Sequence, residues 1–223
     1  MTMHRAPERS RWISHLESLT CDVLESIPFD ANDDAKRVYI EGFRDEFGNR
    51  RASDRAFLAH LFQVELESVR TQDAMALDEL LWWAVALNAP LPTGSIGQSG
   101  GLIPNPDELA IEYRTMVELG ALQAYWSLAI RDKDPVSIER ALEAAVWHVE
   151  ELQPDNAINR PWGLAVFLEL AIRTDQVPIA QTAELHAQTL VHNACINFGK
   201  PDLLSAQILR DNIQLLRLCE GSD

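Results

Sequence analysis

Cysteine is scarce in this chain. Cys21, Cys195 and Cys219 are far apart and form no C-x-x-C pair. That excludes a disulfide framework and a cysteine zinc site, and it suits a reducing compartment. Basic residues are also few: 19 Lys and Arg stand against 34 Asp and Glu, a net charge of −15. Such a surface repels phosphate backbones and anionic lipids, so neither nucleic acid nor a membrane is an expected partner. No apolar run approaches the roughly 18 residues of a membrane span. The basic start, MTMHRAPERSRW, is not followed by a run of signal length. The location implied is cytoplasmic.

Several chemical signatures are missing as well. H-E-x-x-H and E-x-x-H do not occur, and no two histidines are four apart, so no metal is expected. The Gly-rich stretch lacks the Gly-Lys-Ser/Thr ending of a phosphate cradle, and no cofactor is implied. Residues 97–101, GQSGG, fit the G-x-S-x-G pattern around Ser99. That motif works where a strand feeds a sharp turn into a helix. Here prolines flank the motif and nothing around it reads as a strand.

What is present is helical periodicity. Apolar positions recur at helical spacing in nine segments: 9–27, 33–47, 54–71, 73–88, 107–131, 136–152, 161–174, 179–198 and 202–219. Ser53 reads as an N-cap for the third segment and Pro161 as the first residue of the seventh. The β-branched alternation of strands is absent. The expected class is therefore all-α, with helix hairpins in a solenoid-like or partial α/α-toroid arrangement. It is read as one domain over 1–223, with possible parts 1–88 and 107–223 joined by the loop 89–106. That loop, APLPTGSIGQSGGLIPNP, exceeds the ~12–15 residues usual for a structureless connection, a length typical of lids, binding loops and linkers. The fourth segment is apolar nearly all round, which predicts a buried central helix. Asp78 beside Trp82 is either a desolvated acid or a pairing residue near a helix start. In the fifth segment, Gly120, Ala121, Ala124 and Ser127 would admit a second helix closely.

Polar residues that look out of place gather between 140 and 199. On a helical wheel the eighth segment buries Ala183, Ala187, Leu190, Val191 and Phe198, with Leu185 and Ile196 forming a second apolar arc. Between the arcs runs a stripe holding His186 and Asn193, whereas His192 faces outward. Buried polar groups need partners or cost about 1–3 kcal/mol each. The stripe is therefore either satisfied by neighbouring helices or lines a pocket. The turn QPDNAINRPW adds Asp155, Asn156, Asn159, Arg160 and Trp162, and His148 lies one helical turn before it. Part of that composition is ordinary turn chemistry. Trp147 falls on the charged side of its helix, as an interface residue or as one covered by other helices.

Two functions follow. The first is a binding or interaction module with a polar pocket or face over 148–197, taking an unidentified protein or small molecule. The second is an enzyme with a polar pocket inside a helical shell. In it His148 or His186 is general base, Asp155 the orienting acid and Arg160 the substrate anchor. Oligomeric state is not legible.

Overall fold

The computed structural model describes residues 7–66, 75–104, 110–151 and 159–221. Among these residues there are nine α-helices and no strand, so the fold is all-α. They are α1 (Arg9–Leu24), α2 (Asp33–Gly42), α3 (Ala52–Phe62), α4 (Leu77–Ala86), α5 (Ile111–Asp132), α6 (Pro135–Glu151), α7 (Leu164–Arg173), α8 (Val177–Cys195) and α9 (Leu203–Glu220). No helix is long and apolar enough to cross a membrane among the described residues.

Local chemistry explains where the helices begin and end. Asn32 caps α2 by accepting the Ala35 amide at 2.9 Å, and Asp202 caps α9 by accepting that of Ser205 at 3.0 Å. The second helix stops at Gly42, short of the expected Phe47. Asp45 Oδ1 there accepts the amides of Phe47 and Asn49 and closes an Asx-type turn instead. The third starts one residue after Arg51. Ser53 is not its cap; Asp54 turns back to accept the Arg51 amide at 2.7 Å. The helix ends where Gln63 adopts a left-handed conformation. Pro161 likewise does not open α7, which begins after Gly163.

The buried apolar side chains form one cluster running from Ile13 on α1 to Cys219 on α9. Each helix from α2 to α7 packs on its successor, α8 also packs on α6, and α1 packs on α9. As its composition implied, α4 is central: Leu81 and Trp82 are fully buried. Gly120 lets α5 close on it, since a Cβ there would stand 3.2 Å from that of Asp78. Asp78 in turn pairs with Arg51 at 2.8 Å, and burial raises its pKa. Glu169 of α7, wholly buried, is held by Arg9 of α1 at 2.6 Å and by Arg173 at 2.8 Å.

The described part of the Gly-rich loop is anchored by its own backbone. Arg140 of α6 donates to the carbonyls of Gly97, Gly100 and Gly101 at 2.8–3.1 Å. Glu118 of α5 accepts the amides of Leu102 and Ile103, each at 2.8 Å. Trp147 lies under this loop, against Gly100 and Gly101, with the Arg114 guanidinium over its ring at 5.2 Å. Ser99 sits on the exposed side of the same loop.

A Cβ at Gly101 would press into Glu118 Oε1 and stand 3.0 Å from the ring of Trp147. One at Gly94, in the same loop, would meet nothing within 4 Å. Gly101→Ala is expected to cost about 2 kcal/mol in urea denaturation, as overpacking against fixed groups does, and Gly94→Ala close to nothing. Equal effects would show that the Glu118 clamp does not hold the loop.

Candidate functional site

Three polar clusters emerge, and only two of them contain residues singled out from the sequence. The first lies inside the helical layer formed by α5 to α8. His148 is fully buried and His186 nearly so, at 3% exposed. Both meet the Phe167 ring: His186 lies against it tilted by 31°, centroids 4.3 Å apart, and His148 meets it edge-on at 6.1 Å. His148 Nε2 stands 3.8 Å from Glu118 Oε2, within charge interaction but too far for a hydrogen bond. Among the described residues neither ring nitrogen of His148, nor Nδ1 of His186, has a hydrogen-bond partner. Burial pushes His186 down to about 4, helped by the neighbouring His148. For Glu118 burial opposes ionisation, but His148 and the two loop amides outweigh it and hold its pKa below the ordinary value.

The second cluster is built on Arg160. One terminal nitrogen donates to Asp202 at 2.7 Å, and the other to Glu46 at 3.0 Å and Asp45 at 3.3 Å. Burial alone would lower its pKa, but the three carboxylates outweigh burial and raise it. Arg160 thus fastens the turn after α2 to the first turn of α9. Asn159 is exposed, and its backbone carbonyl accepts the Ser205 hydroxyl at 3.2 Å. Trp162 is 2% exposed and packs edge-on against Phe57 at 4.8 Å, with Trp82 at 5.6 Å.

Of the residues proposed to converge, His148 and His186 are brought together. No described hydrogen bond, ion pair or ring contact joins them to Arg160, Asn159 or Trp162. Asn193 is half-buried two turns along α8 from His186, and His192 is exposed. Asp155 and Asn156 lie outside the described residues. The second apolar arc of α8 is not buried: Leu185 is 53% exposed, Ile196 60%, and Phe198, placed in the inward arc, 59%. The wheel misassigned Phe198 because the helix ends at Cys195 and its periodicity no longer applies.

The third cluster escaped the sequence reading. Gln123, Asp211 and Asn212 are buried to 1% or less. Gln123 Nε2 donates to Asp211 Oδ2 at 2.6 Å, and Asp211 Oδ1 faces His60 Nε2 at 3.2 Å. Gln123 Oε1 accepts the Gly163 amide at 2.9 Å, and Asn212 Oδ1 accepts that of Ala165 at 2.7 Å. These two contacts serve the start of α7, where Gly163, in a left-handed conformation, has no side chain to cap with. The signal was the adjacent pair Asp211–Asn212 on the side of α9 that also carries the buried Ile208 and Leu215, together with His60 inside AFLAHLF.

Depressions of about 590, 460, 380 and 320 Å³ lie on the surface, and none of these four is lined by His148 or His186. Among the described residues no three His, Cys, Asp or Glu side chains are grouped to hold a metal. Comparison with protein-family models, curated proteins and solved structures found no match for the chain.

The buried histidines have a measurable consequence. His186 has its folded pKa depressed, so its contribution to stability is present above about 6.5 and is lost as pH falls toward 4. In that window the unfolded chain binds a proton that the folded chain refuses. The loss is on the order of 3 kcal/mol. Urea denaturation at pH 7 and pH 4.5 is expected to show His186→Leu less sensitive to acid by about that amount. An unchanged pH dependence in the variant would remove His186 from the account.

Proposed function

We propose that the chain is a binding module whose polar face is the Arg160 end of the fold, and that its partner is a basic, partly apolar segment of another protein. The observation that carries this reading is a depression of about 380 Å³ beside the Arg160 cluster, lined by Asp22, Glu46, Asp202, Lys200 and the exposed ring of Phe198. Phe47, next to Glu46, is 63% exposed. Around this end four carboxylates, Asp22, Asp45, Glu46 and Asp202, face two cations, Arg160 and Lys200. An acidic rim beside exposed aromatic rings suits a partner carrying Arg or Lys next to an apolar side chain. The overall charge of −15 steers such a partner inward from a distance.

Less supports an enzyme with His148 or His186 as base and Arg160 as substrate anchor. Both terminal nitrogens of Arg160 are occupied by the protein's own carboxylates, and the histidines sit in the core against Phe167.

The test uses two fluorescein-labelled twelve-residue peptides, one alternating Arg and Leu, the other Glu and Leu. The basic peptide is expected to bind with a Kd of roughly 10–100 μM at low salt, weakening several-fold as screening increases. Asp22→Asn with Phe198→Ala should weaken it about fivefold at unchanged melting temperature. Glu143→Gln with Glu150→Gln, at exposed acidic positions elsewhere, should not. Equal weakening by both double variants, or equal affinity for the acidic peptide, would show general charge attraction and no site.

A further inference from the structure

We infer that His60 is the proton-accepting group of a small-molecule site on the face shared by α3, α4 and α9, distinct from the acidic end described above. The inference rests on how the imidazole is held. Asp211, 1% exposed, lies behind it with Oδ1 3.2 Å from Nε2. The other oxygen of Asp211 is fixed by Gln123 at 2.6 Å, and Gln123 is itself fixed by the Gly163 amide and by Asn212 at 3.0 Å. A carboxylate so braced accepts a hydrogen bond and cannot donate one. It assigns the proton of the neutral ring to Nε2 and leaves the lone pair on Nδ1.

Among the described residues no hydrogen bond engages Nδ1, and the His60 side chain is one-third exposed. The ring leans on Trp82, centroids 5.9 Å apart, which fixes its remaining freedom. It opens onto a depression of about 320 Å³, at the small end of the range for ligand sites. Val85 and Ala86 give that depression an apolar wall, and Gln63, Gln214 and Glu65 give it a polar rim. Two carboxamides supply donors and acceptors for hydroxyl or amide groups, while Glu65 disfavours anions. The ligand class that fits is a small uncharged molecule bearing a hydroxyl. The hydroxyl donates to Nδ1, and its proton passes to the ring as the oxygen forms a bond to the carbonyl carbon of an acyl donor such as an ester, whose alcohol or phenolate then leaves. The imidazolium formed faces Asp211, and water can take the place of the hydroxyl. The arrangement is that of a base oriented by a buried acid. A histidine retained for packing alone needs neither an aligned carboxylate behind it nor an unpartnered nitrogen in front.

Three measurements on the full chain decide it. In ¹⁵N imidazole spectra at pH 8, His60 should be the Nε2–H tautomer; an Nδ1–H tautomer overturns the inference. With diethyl pyrocarbonate, the Nδ1 lone pair forms the N–C bond as the carbonate half leaves as ethanol and carbon dioxide. Peptide mass spectrometry should find His60 acylated about fivefold more slowly in Asp211→Asn, with the exposed His15 and His192 unchanged. Asparagine keeps an acceptor for Gln123, so the fold is preserved; a His60 rate unmoved in a variant with wild-type melting temperature overturns the assignment. Finally, p-nitrophenyl acetate serves as a small neutral acyl probe. Its hydrolysis by wild type should exceed that by His60→Gln about tenfold, and equal rates would leave the site without the proposed chemistry.

Discussion

The loop between α4 and α5 has too little side-chain surface to hold itself down, and the structure solves this with two charged groups from beneath. Arg140 takes its carbonyls and Glu118 takes its amides. Backbone polarity at a Gly-rich segment has to be satisfied somewhere, and water is displaced here by Trp147 and the helices below. Gly97, Gly100 and Gly101, though not Gly94, are therefore a requirement of the clamp. They bring the chain within reach of a carboxylate that no solvent touches. The same carboxylate lies 3.8 Å from the buried His148, so loop anchoring and core electrostatics are a single arrangement.

Charge distribution follows a similar logic on a larger scale. In a chain with such an acidic excess, cations are too few to decorate the surface, and several of them are drawn inward. Arg9 and Arg173 neutralise the buried Glu169, Arg51 neutralises Asp78, and Arg160 gathers three carboxylates. Except for Arg173–Glu169, which lies within α7, each pair links segments distant in sequence. Removing one partner of such a pair strands the other, which costs more than the pair contributes. Many of the other carboxylates, such as Glu17, Glu143 and Glu150, stay at the surface, where they give the molecule its field.

The helical class was legible because nine segments carry sustained periodicity, and the central position of α4 was legible because its charges stop at Glu79. Helix ends were less so. The Asx-type turn at Asp45 and the left-handed Gln63 halt helices whose apolar pattern continues past them, since a cap acts over three residues and periodicity over many. The burial of His186 was readable from the wheel, and the separation of both histidines from Arg160 was not. Position on a helix face says nothing about which distant carboxylate will capture a guanidinium. Glu118 and Asp211 were missed for the converse reason: a lone acid in an apolar helix is informative only once its partner, a loop amide or a histidine from another helix, is known.

Gly163 carries a consequence of its own. The seventh helix begins without a capping side chain and borrows its acceptors from Gln123 of α5 and Asn212 of α9. Its first turn is thus incomplete until segments forty residues before and after it have arrived. During synthesis α7 emerges well ahead of α9, so its amino end stays unfinished until α9 has followed. The ninth helix is in this sense a closing piece, and folding of the layer around Phe167 is tied to its arrival.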